Sequence, residues 1–344
     1  MKLKLLFLSI IAMAMVQGAA VATAQSAQQS SQAPASSESA APPPLPLSNI
    51  TPPDKLQFPP ASPKDFTAPS PTTQEVNAFL KQIWGYDPNR VWQVMGIQTT
   101  EAPNVSRVTI LVGEQGVSRG PAPTIFFVTP DGNHAISGTS VVAFGAHPFA
   151  AVQQKLEQGA VGPYRGSSSK SLMLVEFADL QCPDCKAAAG TMDKLVQDFP
   201  NAHVVFQYFP LPTIHPQAVK AAEYGVCVAQ EKGNAAFFQY VQAVFDTQDA
   251  LRTDADGTLN AAAAKAGANA SQVATCASTP AAANTVAASV RLGNEVGVDQ
   301  TPTLFVNGRP VPITALPYTT LKQIVAYDAP GGATPTAAVA TETH

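Results

Sequence analysis

Charge is scarce in this chain: Lys, Arg, Asp and Glu together make only 13% of its 344 residues. Twenty basic residues stand against 24 acidic ones, a net charge of −4. A nucleic-acid binder would carry a basic face, and this balance argues against one. Cysteine is scarcer still, with four residues, too few to staple a chain of this length as a disulfide scaffold. Long apolar runs are missing as well. No stretch reaches the ~18 consecutive apolar residues that a membrane span requires. Proline, by contrast, is abundant at 31 residues, and an apolar fraction of 45% leaves ample material for packed cores. The length suggests about two domains.

Lys2 and Lys4 precede the apolar run Leu5 to Val16, and Ala22-Thr23-Ala24 offers the small residues that a signal peptidase reads. This predicts an export signal over 1–24, cleaved before Gln25. A retained anchor is the alternative, disfavoured because Gln17 and Gly18 follow the run so closely. With Lys2 and Lys4 removed, 18 basic residues face 24 acidic ones, so the mature charge is −6. The expected destination is the periplasm or the exterior of the cell, where thiols are oxidised.

Residues 25–71 hold 12 of the prolines among Gln, Ser and Ala, and read as a disordered linker. The tail 329–344 has the same character. Order is expected from Thr72, which with Glu75 fits a capping box ahead of Val76, Phe79, Leu80 and Ile83 at helical spacing. Strand-like runs follow at 91–97, 105–112 and 124–128, then a Pro130-Asp131-Gly132-Asn133 turn and a return strand from His134. With a helix opening at His147-Pro148, these make a small α+β domain over 72–158, and 159–171 is a Gly/Ser-rich joint. From 172 to 328 the order is strand, helix, strand, a long alanine-rich helical stretch at about 216–296, a hairpin at Asn307-Gly308 and a closing helix. Those are the parts of an α/β thioredoxin-like fold with an inserted helical subdomain.

The chemistry is expected at Cys182-Pro183-Asp184-Cys185, where a strand ends and a helix begins. A thiol at a helix N-terminus faces unpaired N–H groups and the positive end of the macrodipole, which favour its thiolate. A second thiol one turn away can resolve a mixed disulfide. Pro183 suits the first helical position, where its missing N–H costs nothing. A zinc site and an inert disulfide are the alternatives. The first lacks ligands, because the next cysteines lie 42 and 91 residues beyond Cys185. The second suits poorly two cysteines on adjacent turns. Glu176 stands in the middle of an otherwise apolar strand; burial would raise its pKa towards the range useful for moving a proton. An edge-strand Glu facing water is the alternative. Thr301-Pro302 opens the strand 303–306, a natural place for a cis bond.

The run VEFADLQCPDC (175–185), followed by GVDQTPTLFVNG (297–308), resembles the DsbA-like family of exported thiol–disulfide oxidoreductases over about 165–328. The resemblance implies that Cys182 attacks, Cys185 resolves, Glu176 shuttles a proton, and Thr301-Pro302 offers backbone to substrate. It also implies protein substrates, a membrane redox partner that recycles the pair, and no cofactor. The run FFVTPDGNHAISG (126–138) more weakly resembles the N-terminal dimerisation domain of DsbC- and DsbG-like isomerases, which implies a possible homodimer through 72–158. One departure bears on redox tuning. Family members commonly carry His or Tyr where Asp184 stands, and a carboxylate about 6 Å from a thiolate costs it about 1–3 kcal/mol. A less acidic Cys182 and a less oxidising couple than in a CPHC enzyme are expected. The extra domain, Thr301 and Asp184 all lean towards isomerase or reductase; a dithiol oxidase and a holdase-type chaperone are the alternatives.

Cys227 and Cys276 both fall in the helical stretch. With Cys182 and Cys185 paired to each other, they are expected to form a structural disulfide, or else to be buried free thiols. Related chains often carry two cysteines there, which favours the pair. Asp254-Ala255-Asp256-Gly257 resembles a calcium loop but has Ala263 where the loop needs Glu, so no metal is expected. His215-Pro216 reads as a helix start, and His215 as a turn residue away from the thiols.

Overall fold

The computed structural model describes residues 56–332 except Ser118. The expected export signal, the linker up to 55 and the tail from 333 lie outside the described residues. Helix α1 (Thr73–Trp84) opens with the Thr72–Glu75 capping box and buries Val76, Phe79, Leu80, Ile83 and Trp84. It lies on a five-stranded antiparallel meander of β1 (Arg90–Thr99), β2 (Ser106–Glu114), β3 (Ala122–Val128), β4 (His134–Ser137) and β5 (Ser140–Ala143). Alternation decides the faces: Val108, Ile110, Val112, Phe126 and Val128 point to α1. Ile125, Phe127 and Val141 remain exposed. Trp84 and Trp92 pack together in this core, with ring centroids 6.0 Å apart.

The second sheet runs β10-β9-β7-β8-β6. Its strands are β6 (Tyr164–Gly166), β7 (Met173–Ala178), β8 (His203–Tyr208), β9 (Thr303–Val306) and β10 (Arg309–Val311). Only the β7–β8 pair is parallel. Both central strands are buried throughout, which is why their sequences run apolar without alternation. Helices α3 (Pro183–Asp198) and α8 (Tyr318–Asp328) cover one face through Met192, Leu195, Leu321 and Ile324. Helices α2 (Ala150–Gly159) and α7 (Pro280–Glu295) cover the other through Leu156 and Leu292. The insertion comprises α4 (Ala218–Asp246, broken at Gly233), α5 (Ala255–Lys265) and α6 (Ala270–Ala277). Phe237 of α4 packs against Phe206 and Tyr208, extending the core over the end of the sheet that carries the thiols. This is the expected α/β thioredoxin-like fold with a helical insertion, preceded by an α+β unit.

Three boundaries differ from those expected. Order begins before Thr72: Thr67 and Ala68 donate to the Ile97 carbonyl at 3.0 Å each, and Gln98 donates to Asp65. A proline-rich segment can lie along an edge strand because covering that edge needs few donors of its own. Helix α2, assigned by sequence to the first unit, buries Leu156 in the core of the second. The 159–171 joint contains β6, which pairs antiparallel with β8 but is too short to show a period.

The two units touch through Arg309, which is 1% exposed. It donates from Nε and Nη2 to the Asp328 carboxylate at 2.6 and 2.9 Å and from Nη1 to the Ile83 carbonyl at 3.4 Å. Its guanidinium lies 4.5 Å over the Phe149 ring. Asn307 and Gly308 turn the β9–β10 hairpin with φ of 43° and 83°. A Cβ on Gly308 would lie 2.5 Å from the Phe149 carbonyl, so glycine there also permits α2 to approach. Beside this contact is a cavity of about 390 Å³ lined by Trp84, Val142, Phe149, Phe305 and Val311.

Candidate active site

Strand β7 delivers the loop 179–181 to the head of α3. Cys182 is the N-cap, with extended backbone, and Pro183 occupies the first turn. Both thiols are free: Cys182 is 6% exposed and Cys185 is fully buried on the inner face of the helix. The Cys182 thiol donates to the Thr301 carbonyl at 3.5 Å, and the Thr301–Pro302 peptide is cis. The structure therefore brings Cys182, Cys185, Thr301 and Pro302 together from positions up to 120 residues apart.

The two sulfurs are driven apart in acidity. Cys182 is lowered to about 6, first by the hydrogen bond from the Cys185 thiol. The Cys185 and Asp184 N–H groups and the Thr301 side chain add to this, while burial opposes it. Cys185 is pushed well above the ordinary thiol range, by burial first and then by Cys182. The Asp179 N–H, 3.4 Å from the Cys185 sulfur, works the other way. The Asp184 side chain is exposed, and the leading influences on Cys182 include its backbone N–H rather than its carboxylate. A carboxylate in water is screened from a thiolate that backbone donors face directly.

Glu176 is 7% exposed and lies on the α3 face of β7. Its cross-strand neighbours are Phe206 and Leu304, and burial among them raises its carboxyl to about 7. Arg165 lowers it and Asp193 raises it; these two are themselves ion-paired across β6 and α3. The edge-strand alternative fails because β7 is the central strand of the sheet.

Cys227 of α4 and Cys276 of α6 form a disulfide, with Cα atoms 5.9 Å apart. Asp254 caps α5 by accepting from the Gly257 N–H, so the calcium-like run is a helix start. Sequence reasoning missed three buried polar residues at the thiols, Asp179, Gln181 and Gln248, and set His215 aside. His215 in fact bonds to Asp179, and Gln248 donates to the carbonyls of Leu180 and Cys182 at 3.0 Å each. The only signal was an acid and an amide in an otherwise apolar approach to Cys182; their partners lie tens of residues downstream.

Residues 160–326 match the thioredoxin family. Curated relatives are Na(+)/H(+) antiporters: NhaA 3 of Salinispora tropica is 32% identical over 88 residues, which is 26% of this chain and 13% of that protein. NhaA 1 of Mycolicibacterium vanbaalenii is 34% identical over 88 residues, 25% of this chain and 14% of that one. The chain thus spans about a seventh of the length of these relatives. Among solved structures, Proteus mirabilis ScsC in a transitional conformation is 23% identical with a TM-score of 0.45, covering 52% of this chain and 78% of that one. Oxidised BdbD of Bacillus subtilis is 19% identical with a TM-score of 0.44, covering 48% and 92%. A periplasmic thioredoxin-like protein of Salmonella enterica serovar Typhimurium is 26% identical with a TM-score of 0.42, covering 52% and 95%. The matched span, 160–326, is the part of the chain that carries the thioredoxin-like sheet order and the helical insertion.

Proposed function

We propose that this chain is an extracytoplasmic thiol–disulfide oxidoreductase that exchanges disulfides with protein substrates through Cys182 and Cys185. The observation that carries the proposal is the placing of two free thiols at one helix start, Cys182 as the N-cap against the cis Thr301–Pro302 peptide and Cys185 buried beneath it, which lowers Cys182 to about 6 and raises Cys185. With that pKa about nine-tenths of Cys182 is thiolate at pH 7, and the thiolate is the nucleophile. As a reductant, Cys182 attacks a substrate disulfide, forming a mixed disulfide and releasing one substrate thiolate. Cys185 then gives up its proton and attacks the Cys182 sulfur, and the second substrate thiolate leaves with the electron pair. Glu176, at about 7, accepts the Cys185 proton and returns it in the reverse direction. The Thr301 carbonyl and Pro302 hold the substrate backbone beside the sulfur. Pro183 and Asp184 tune the pair through helix geometry and the Asp184 N–H.

Two features pull the direction of electron flow opposite ways. A stabilised Cys182 thiolate favours the reduced protein and hence disulfide donation. The α+β unit and Thr301 before the proline lean towards isomerase or reductase, with a membrane redox partner recycling the pair. A homodimer through 72–158 would use the exposed Ile125, Phe127 and Val141 face. No described helix is long and apolar enough to cross a membrane. Refolding of a scrambled disulfide protein tests this reading, run beside insulin reduction. Activity in either that disappears in Cys182→Ala supports exchange; no activity in both contradicts it.

The 390 Å³ apolar cavity between the units favours a second reading, a holdase in which catalysis is secondary. Under it Cys182→Ala suppresses aggregation as well as the wild type does.

A further inference from the structure

We propose that Asp179 and His215 are positioning residues for the resolving thiol: their hydrogen bond holds the Asp179 backbone N–H on the Cys185 sulfur and so sets how fast Cys185 resolves a mixed disulfide. The proposal rests on the exchange reading above.

The Asp179 side chain is fully buried. A carboxylate survives there only with donors on its oxygens. Oδ1 accepts from the Gln181 N–H at 2.7 Å; Oδ2 accepts from the Leu211 N–H at 2.9 Å and meets His215 Nδ1 at 2.8 Å. One carboxylate therefore ties the loop before Cys182 to the segment that follows β8. Two further ties run in parallel. The Gln217 N–H donates to Gln181 Oε1 at 2.7 Å, and Gln248 donates to the Leu180 and Cys182 carbonyls. The Cys182 N–H closes the turn on the Asp179 carbonyl at 3.1 Å.

With the loop fixed on these sides, the Asp179 N–H points at Cys185 Sγ from 3.4 Å. Cys185 must become a thiolate to attack, and its burial opposes that. An N–H···S bond strengthens as charge forms on the sulfur, so this donor favours the attacking state more than the resting thiol. Loss of the His215 donor would let the carboxylate and the N–H behind it move away from Cys185. His215 touches neither sulfur in this network; it acts through Asp179.

The test uses the reduced full chain with oxidised glutathione as the probe. Cys182 attacks glutathione disulfide and releases one glutathione thiolate; Cys185 then displaces the second, leaving the Cys182–Cys185 disulfide. In His215→Ala we expect the Cys182–glutathione adduct to accumulate and its resolution to slow about tenfold, while Cys182 alkylation stays within about twofold of wild type. His215→Asn, which can return a donor to Asp179, restores most of the rate. Resolution at the wild-type rate in His215→Ala would overturn the proposal, as would equal slowing of the first attack and of resolution. If the wild type forms no adduct, the exchange reading fails, and thiolate absorbance still decides this one. In a Cys182→Ser background His215→Ala must raise the pKa of Cys185; an unmoved titration overturns it.

Discussion

The chain holds two cysteine pairs in one core, and they differ in everything but element. Cys227 and Cys276 join α4 to α6 across 49 residues as a disulfide. Cys182 and Cys185 sit one turn apart as free thiols, one capping a helix and the other beneath it. All but Cys276 are buried, so burial alone does not distinguish a working sulfur from a staple. Backbone donors do. Cys182 faces the open N–H groups at the head of α3, whereas the other pair lies inside helices whose backbone donors are already used.

Breaking the working pair should have the largest effect. Cys182→Ala removes the nucleophile and should reduce insulin or scrambled-substrate turnover on the order of a thousandfold. Turnover within tenfold of wild type would mean that another group carries the reaction.

Breaking the staple should act on stability instead. Closing a 49-residue loop contributes about 4 kcal/mol in the entropic account. Cys227→Ala with Cys276→Ala should lower the denaturation free energy by up to that amount and leave exchange within about threefold. A large loss of exchange in protein that stays folded would show the two pairs to be coupled.

Glu176→Gln sharpens the contrast from the proton side. Proton transfer by a positioned side chain is worth on the order of a hundredfold or more, so resolution should slow by at least about that much. Its pH profile should also lose the inflection near 7. The stability effect has a definite sign. A carboxyl raised from 4.5 to about 7 costs the fold nothing below pH 4.5, progressively more as pH rises, and its full penalty above 7. The Gln variant should therefore gain stability over wild type at pH 8, by about 3 kcal/mol at most, and little at pH 4. A gain that does not vary with pH would remove the carboxyl from this role.

Asp184→His should have the smallest effect. The Asp184 carboxylate lies in solvent, and the Asp184 N–H survives the substitution, so Cys182 should fall by no more than about one pKa unit. Thiolate absorbance reads this directly, and a rise would contradict it.

What could be read from sequence follows contact distance along the chain. The Thr72–Glu75 cap, the Asn307-Gly308 hairpin and the C-x-x-C at a strand–helix junction are local devices, each written within a few residues. Glu176 was visible because a lone acid in an apolar run stands out, although an edge strand facing water would have explained it too. The Asp179–His215 bond joins residues 36 apart and the Gln248 bond to Cys182 residues 66 apart, and neither leaves a local pattern. The packing of 56–71 on β1 was hidden for another reason: composition reports what a segment cannot bury alone, not what it can lean on. Helix α2 showed an apolar stripe, but the stripe does not say which core it faces.

The central claim is that position at the head of α3 makes Cys182 a thiolate while Cys185 beneath it stays a thiol. Alkylation of the reduced chain with iodoacetamide across pH, read by mass at each cysteine, tests it most directly. The account predicts one fast site, Cys182, with an inflection near 6, and Cys185 silent through neutral pH. An inflection for Cys182 in the ordinary thiol range, or equal modification of the two, would contradict it.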